Sequence, residues 1–190
     1  MEKTETMDLT GKLLIAMPGM EDPRFEGTVI LICAHSREGS MGLIINKPVT
    51  DLTFPDLLEQ LGIPHMSEGR GISVHFGGPV ERGRGFVLHS PEYHTTDGTM
   101  DISGRFGMTA TQDVLRALGR GEGPNDALLA LGYAGWGPDQ LEAEILRNDW
   151  LTSDAAEGLV FSENDATKWA ESLRHLGVEP LALSATSGRA

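Results

Sequence analysis

Asn46 and Lys47 stand where the apolar run Met41-Gly42-Leu43-Ile44-Ile45 stops at Pro48. An amide beside an ammonium at a strand end could hold an anionic or carbonyl ligand. The alternative is that Asn46 bonds the local backbone and Lys47 is an ordinary surface charge. Gly77-Gly78-Pro79, followed by Gly83-Arg84-Gly85, offers bare backbone amides and a guanidinium that could cradle an anion. The pattern lacks the Gly-Lys-Ser/Thr ending of a phosphate loop and the third glycine of a dinucleotide fingerprint, and it precedes a strand, so tight turns explain these glycines better.

Four histidines, His35, His75, His89 and His94, fall near expected strand ends and could converge on a metal. The spacing of His89, Glu92 and His94 fits neither the helical His-Glu-x-x-His motif nor its inverse, so no metal is assigned and His89 reads as a hydrogen-bonded strand-end residue. Cys33 is the only cysteine, which rules out an intramolecular disulfide and a thiolate zinc cluster. It sits in the apolar run Ile30 to Ala34 and reads as a buried, inert thiol. His35, two residues on, would share its strand face and could lower its pKa. Ser40 is not a nucleophile-elbow serine, because Glu38 replaces the first glycine of that motif. The candidate ligand-binding set is therefore Asn46, Lys47, Gly77, Gly78, Arg84 and His89, with no catalytic residue, metal or cofactor assigned.

These residues must be positioned by a sheet. Leu13 to Met17 reads as a strand ended by Pro18-Gly19, and Thr28 to Ala34, apolar on both faces, reads as an interior strand. Only His35 to Ser40 separates it from Met41 to Ile45, which predicts an antiparallel hairpin. Thr53 with Asp56 predicts a capped helix carrying Phe54, Leu57, Leu58 and Leu61. Strands are expected at Ile72 to Phe76 and Gly85 to His89, with a charged turn, Glu81 to Arg84, before the second. A hairpin is expected within Thr95 to Arg105, and Thr109 with Gln112 predicts a second capped helix closed by Gly119. Asp126 to Gly132 reads as a buried strand, and Pro138 opens a third helix that ends near Asn148 with Trp150-Leu151 as an anchor beyond it. Gly135-Trp136-Gly137 and Trp150 either line a pocket or pin that helix to the sheet. Gly158 to Phe161 reads as a brief strand. Ser162 with Asp165 caps a fourth helix with the stripe Ala166, Trp169, Ala170, Leu173 and Leu176, and Leu181 to Leu183 as a last strand.

Hairpins first and isolated helices later predict one α+β domain over residues 11–183, with a frayed segment at 1–10 and a loose tail at 184–190. The net charge of −13 repels phosphate backbones and anionic membrane surfaces, which argues against direct nucleic-acid binding. The polar N-terminus lacks the pattern of a secretory signal and no apolar run approaches 18 residues, so a cytoplasmic protein without a membrane span is expected.

The motifs Leu14-Ile15-Ala16-Met17-Pro18, Met41 to Pro48, Gly77-Gly78-Pro79, Arg84 to His89 and Leu131-Gly132-Tyr133-Ala134-Gly135-Trp136 together resemble the bacterial YqgE/AlgH family. The resemblance implies a mixed, strongly curved or barrel-like sheet flanked by about four helices, in a family without an established biochemical activity, some members of which carry the label of transcriptional regulator. Two positions depart from the family pattern: Ala34 stands where a glutamate is frequent, and Gly83 where an aspartate is frequent. The expected function is non-enzymatic binding of a small ligand or protein partner. The alternative is an enzyme of unrecognised type with its site near Lys47, Arg84 and His89.

Overall fold

The computed structural model describes residues 8–66 and 71–178. Among these residues, nine strands form one curled sheet: β1 (Lys12–Ala16), β2 (Val29–Ser36), β3 (Gly39–Ile44), β4 (Val74–Phe76), β5 (Val80–His89), β6 (Thr99–Ile102), β7 (Phe106–Thr109), β8 (Ala127–Trp136) and β9 (Trp150–Asp154). The order is β6-β7-β5-β8-β3-β2-β1-β9, with β4 attached to β8. All pairings are antiparallel except β4 with β8, so the sheet is mixed. Five helices flank it: α1 (Phe54–Gln60), α2 (Gln112–Gly119), α3 (Gln140–Leu146), α4 (Glu157–Val160) and α5 (Asp165–His175).

The period-two alternation of the strands sorts their side chains onto two faces. Leu13, Val29, Leu31, Cys33, Leu43, Phe86, Leu88 and Leu128 pack into the inner, concave core, which α4 and α5 cover with Leu159, Val160 and Trp169. On the outer face, Ile30, Ile32, Ile44 and Trp136 meet α3 through Leu141. Val74, Val87 and Leu129 meet α1 and α2 through Leu58, Val114 and Leu118. Trp136 and Trp150 meet edge to face at 6.2 Å in the α3 patch and pack that helix against the sheet, while Gly135 and Trp136 also line an open groove.

β8 runs against β5 on one side and splits its other side between two partners. Its first half pairs with β4 at Leu129 to Leu131, and its second half pairs with β3 at Ala134 to Trp136. β4 is thus a wedge: β3 follows β8, then diverges, and the segment after it lies on the far side of β4, with Phe76 N bonding Lys47 O and Val49 N bonding Val74 O. At the apex of the wedge backbones touch. A Cβ on Gly78 (φ +157°) would lie 2.0 Å from the Tyr133 carbonyl carbon, and one on Gly132 (φ +76°) would lie 2.4 Å from Gly78 O. Only glycine fits there.

The hairpin of β2 and β3 and the capping box of α1 are present as expected, the latter with Thr53 Oγ1 accepting from Asp56 N at 3.2 Å. Elsewhere the local signals mislead. Glu81 to Arg84 is not a turn before a strand but part of β5, which continues through a register shift between Val80 and Gly85. Thr109 is no helix cap: it ends β7 fully buried, and the cap position of α2 belongs to Thr111. Trp150-Leu151 opens the edge strand β9, which pairs with all of β1. Glu157–Val160 is a single helical turn rather than a strand, with Ala156 O accepting from Leu159 N and Val160 N. Asp8 to Thr10 are described, and Leu9 is buried with its amide donating to His35 Nδ1 at 3.0 Å. Residues 1–7, the expected strand at Leu181 to Leu183 and the tail at 184–190 lie outside the described residues.

Candidate functional site

The expected ligand-binding residues do not gather in one place. Asn46 is buried where β3 ends: its Oδ1 accepts from Val29 N and its Nδ2 donates to Gly27 O, each at 2.9 Å, which ties β3 to the start of β2. Lys47 beside it is half-buried. Gly77 donates its amide to Leu131 O and accepts from Ile44 N, so that amide is consumed by the wedge. Gly78 is the close-contact position described above.

His89 lies at the end of β5 with no exposed surface. Its Nδ1–H donates to Ser90 O at 2.8 Å, so Nε2 is the acceptor and receives the Thr109 hydroxyl at 2.8 Å. That fixes the neighbours: with its proton given to His89, Thr109 must accept from the Thr99 hydroxyl at 2.8 Å, and Thr99 in turn from the Thr95 hydroxyl at 3.0 Å. Burial holds the His89 pKa below its ordinary value, against smaller opposing effects of the Ser90 carbonyl and Glu92. The ring is therefore neutral and closed into a chain of hydroxyls that ties β5 to β7 and β6.

The remaining histidines diverge. His35 Nε2 donates to Glu142 on α3, and His94 is exposed with Nδ1 donating to Thr95 O. Among the described residues no three histidine, cysteine, aspartate or glutamate side chains are grouped to hold a metal. Cys33 is buried, with burial pushing its thiol up to about 12. His35 does not activate it: the register shifts between Ile32 and Ala34, and both imidazole nitrogens are spent on Leu9 and Glu142.

Arg84 does border a cavity. A groove of about 660 Å³ opens at the end of the concave core that α4 and α5 leave uncovered. Met41, Phe86, Met100, Met108 and Tyr133 supply its apolar surface, contributed by β3, β5, β6, β7 and β8. Phe86 and Tyr133 meet edge to face at 5.9 Å. Arg84 holds its guanidinium 5.0 Å from the Phe86 ring centroid and pairs with Glu81 at 3.5 Å, both side chains being more than half exposed. Such a pair contributes little to stability and can exchange partners at small cost.

A second polar cluster, not anticipated from the sequence, fills the gap that the β4 wedge opens. As β3 turns away, Ile45 O has no strand partner. Lys168 of α5, fully buried, donates to Ile45 O at 2.8 Å, to Val160 O at 3.0 Å and to Asp165 Oδ1 at 2.9 Å. All three ammonium protons are used. Asp165, one turn earlier on α5, also accepts from His75 Nε2 at 3.0 Å to each oxygen. Burial would raise the Asp165 carboxyl, but the hydrogen bonds from His75 and Lys168 outweigh it and hold its pKa below the usual carboxylate value. Burial lowers the Lys168 pKa, partly opposed by Asp165. Both pKa values are lowered, which favours the charged form of Asp165 and disfavours that of Lys168, because Lys168 is wholly enclosed whereas Asp165 keeps an edge in solvent. The apolar stripe of α5 gave no sign of this arrangement, since Lys168 reads as an exposed charge until the missing partner of Ile45 O is known.

Comparison with known proteins agrees with this architecture. A family model described as "AlgH-like" matches residues 13–181. A UPF0301 protein of Cereibacter sphaeroides is 64% identical over 184 residues, covering 97% of this chain and all of the relative. One from Rhodospirillum rubrum is 49% identical over 182 residues, covering 96% and 94%. The solution structure of the AlgH protein from Pseudomonas aeruginosa is 38% identical, with a TM-score of 0.77 over 100% of this chain and 98% of that one. A crystal structure from Corynebacterium diphtheriae, 22% identical with a TM-score of 0.69 over 97% and 93%, shares the fold. The curled α+β sheet, the matched family model and these identities show that the chain belongs to the AlgH-like family.

Proposed function

We propose that this protein is a non-catalytic, cytoplasmic binding protein whose ligand site is the groove beside Arg84. The observation that carries this reading is the groove itself: the concave core, enclosed by α4 and α5 at one end, reaches solvent through Met41, Met100 and Tyr133 at the other. Its volume of about 660 Å³ falls within the usual range for small-molecule sites, and its apolar surface carries a few polar groups at the rim, with Arg84 as the one cation beside Glu38 and Glu81. Methionines suit a site that adapts its shape to its occupant. The ligand class this favours has an aromatic or branched apolar body and an anionic group that takes Arg84 from Glu81. A regulatory role of the kind suggested for other family members would then follow from ligand-dependent recognition of a protein partner. The net charge of −13 argues against direct contact with DNA.

The probe that tests this is 1-anilinonaphthalene-8-sulfonate, which joins an apolar aromatic body to a sulfonate. Saturable one-to-one fluorescence enhancement by the native protein is expected, weakened by Arg84→Glu with the melting temperature unchanged. Equal enhancement by wild type and Arg84→Glu would remove the basis for the proposal.

A further inference from the structure

The groove leaves the buried cluster of His75, Asp165 and Lys168 without a role, and one atom of that cluster is left without a partner among the described residues. His75 is 2% exposed, and its Nε2 faces both oxygens of a carboxylate, which fixes the proton on Nε2. In the neutral ring Nδ1 is then an acceptor. It is buried and has no hydrogen-bond partner among the described residues. An unsatisfied buried polar atom of this kind typically costs about 1–3 kcal/mol, so native proteins rarely leave one without a reason.

His75 lines a cavity of about 310 Å³ that also receives Ser73, Asp126, Ser162, Glu163 and Lys168. The charges there are one-sided. The Lys168 ammonium has spent its three protons on Ile45 O, Val160 O and Asp165, and its charge is balanced by Asp165. Asp126 and Glu163 are both exposed residues and have no ion-pair partner among the described residues. The cavity lining therefore includes a histidine whose Nδ1 is buried and unpartnered and two acidic residues, with no uncommitted cation among its described residues.

We propose that this cavity is a second binding site, taking a small ligand with a primary ammonium group that donates to His75 Nδ1 and is held by Asp126 and Glu163. The dyad with Asp165 holds the imidazole in the one tautomer able to accept that hydrogen bond, and Lys168 keeps Asp165 ionised and in place. The site is separate from the groove, with no lining residue in common.

The test uses the intact chain, labelled with ¹⁵N for imidazole spectra, and three probes of one size: butylamine, butanol and butyrate. In the free protein His75 should show a protonated Nε2 and an unprotonated Nδ1. Butylamine should shift Nδ1 while leaving Nε2 protonated, and it should bind more tightly than butanol or butyrate. The double variant Asp126→Asn/Glu163→Gln should keep the wild-type melting temperature and bind butylamine on the order of 5-fold or more weakly, as expected for two solvent-facing charges. A proton on Nδ1 in the free protein, no response to butylamine, equal or tighter binding of butanol or butyrate, or unchanged butylamine affinity in the double variant would each overturn the proposal. The ε-methyl resonances of Met41, Met100 and Met108 report the groove in the same samples, so the two sites are read independently.

Discussion

Replacing Lys168 with methionine isolates the contact that locks α5 to the sheet. Methionine keeps most of the apolar stem but removes the ammonium, leaving Ile45 O and Val160 O without a donor and Asp165 without its cation, all at a position with no exposed surface. Breaking a buried ion pair by deleting one partner typically costs about 3–5 kcal/mol. Two carbonyls at about 1–3 kcal/mol each give a similar figure. In a chain of this size 1 kcal/mol shifts the melting temperature by about 2–4 °C, so Lys168→Met should melt roughly 6–20 °C below wild type. The double variant Asp165→Asn/Lys168→Met also removes the carboxylate, which without Lys168 keeps only its hydrogen bonds from His75. Its loss should be smaller than the sum of the two single losses by at least about 1 kcal/mol. Urea unfolding of the four proteins, followed by circular dichroism, measures the cycle. If Lys168→Met lies within about 1 kcal/mol of wild type, or if the two substitutions are additive, the lysine does not hold Asp165 and the wedge as described.

Three further outcomes follow from the same geometry. His89 binds its proton less readily when folded than when unfolded, so the unfolded chain takes up more protons below its ordinary value of about 6.5, and stability should fall as pH drops through that window. The slope is at most about 1.4 kcal/mol per pH unit for one group, and comparing unfolding curves of wild type and His89→Gln between pH 7 and 5 should show a shallower fall in the variant. Gly78→Ala should destabilise by at least about 3 kcal/mol, because its Cβ meets the Tyr133 carbonyl, whereas Gly83→Ala, with open space around it, should stay within about 0.5 kcal/mol by the same measurement. Cys33, its thiol pushed up to about 12 by burial, should not react with a disulfide reagent at pH 8 in the native protein and should react stoichiometrically in urea.

The strands whose hydrophobicity has a clear period were legible, as was the hairpin at Met41 to Ile45, because a six-residue connection permits nothing else. The helix at Thr53 was legible because its capping box is local chemistry. What failed was decided by tertiary partners. Thr109 followed by Gln112 reads as a helix start, yet His89 across the sheet claims its hydroxyl and keeps it in β7. Trp150-Leu151 looked like a loose anchor because nothing within 20 residues shows that β1 has a free edge for it. The site shows the same division. Met41 to Pro48 is the stretch around which the polar chemistry collects, but through a backbone carbonyl, Ile45 O, that has no signature in a sequence. His75 entered only as one of four histidines near strand ends, and its partner Asp165 is 90 residues away in the chain. Arg84 was reached through the glycines around it, although the groove it borders is built from methionines on separate strands.

The central claim, that the open end of the concave core is a ligand site, is tested most directly by methyl NMR of the eight methionines. With ¹³C-methyl methionine and 1-anilinonaphthalene-8-sulfonate as titrant, Met41, Met100 and Met108 should shift together with one dissociation constant while Met17 and Met66 stay still. Shifts confined to methionines outside the groove, or none at saturating fluorescence, would contradict the account.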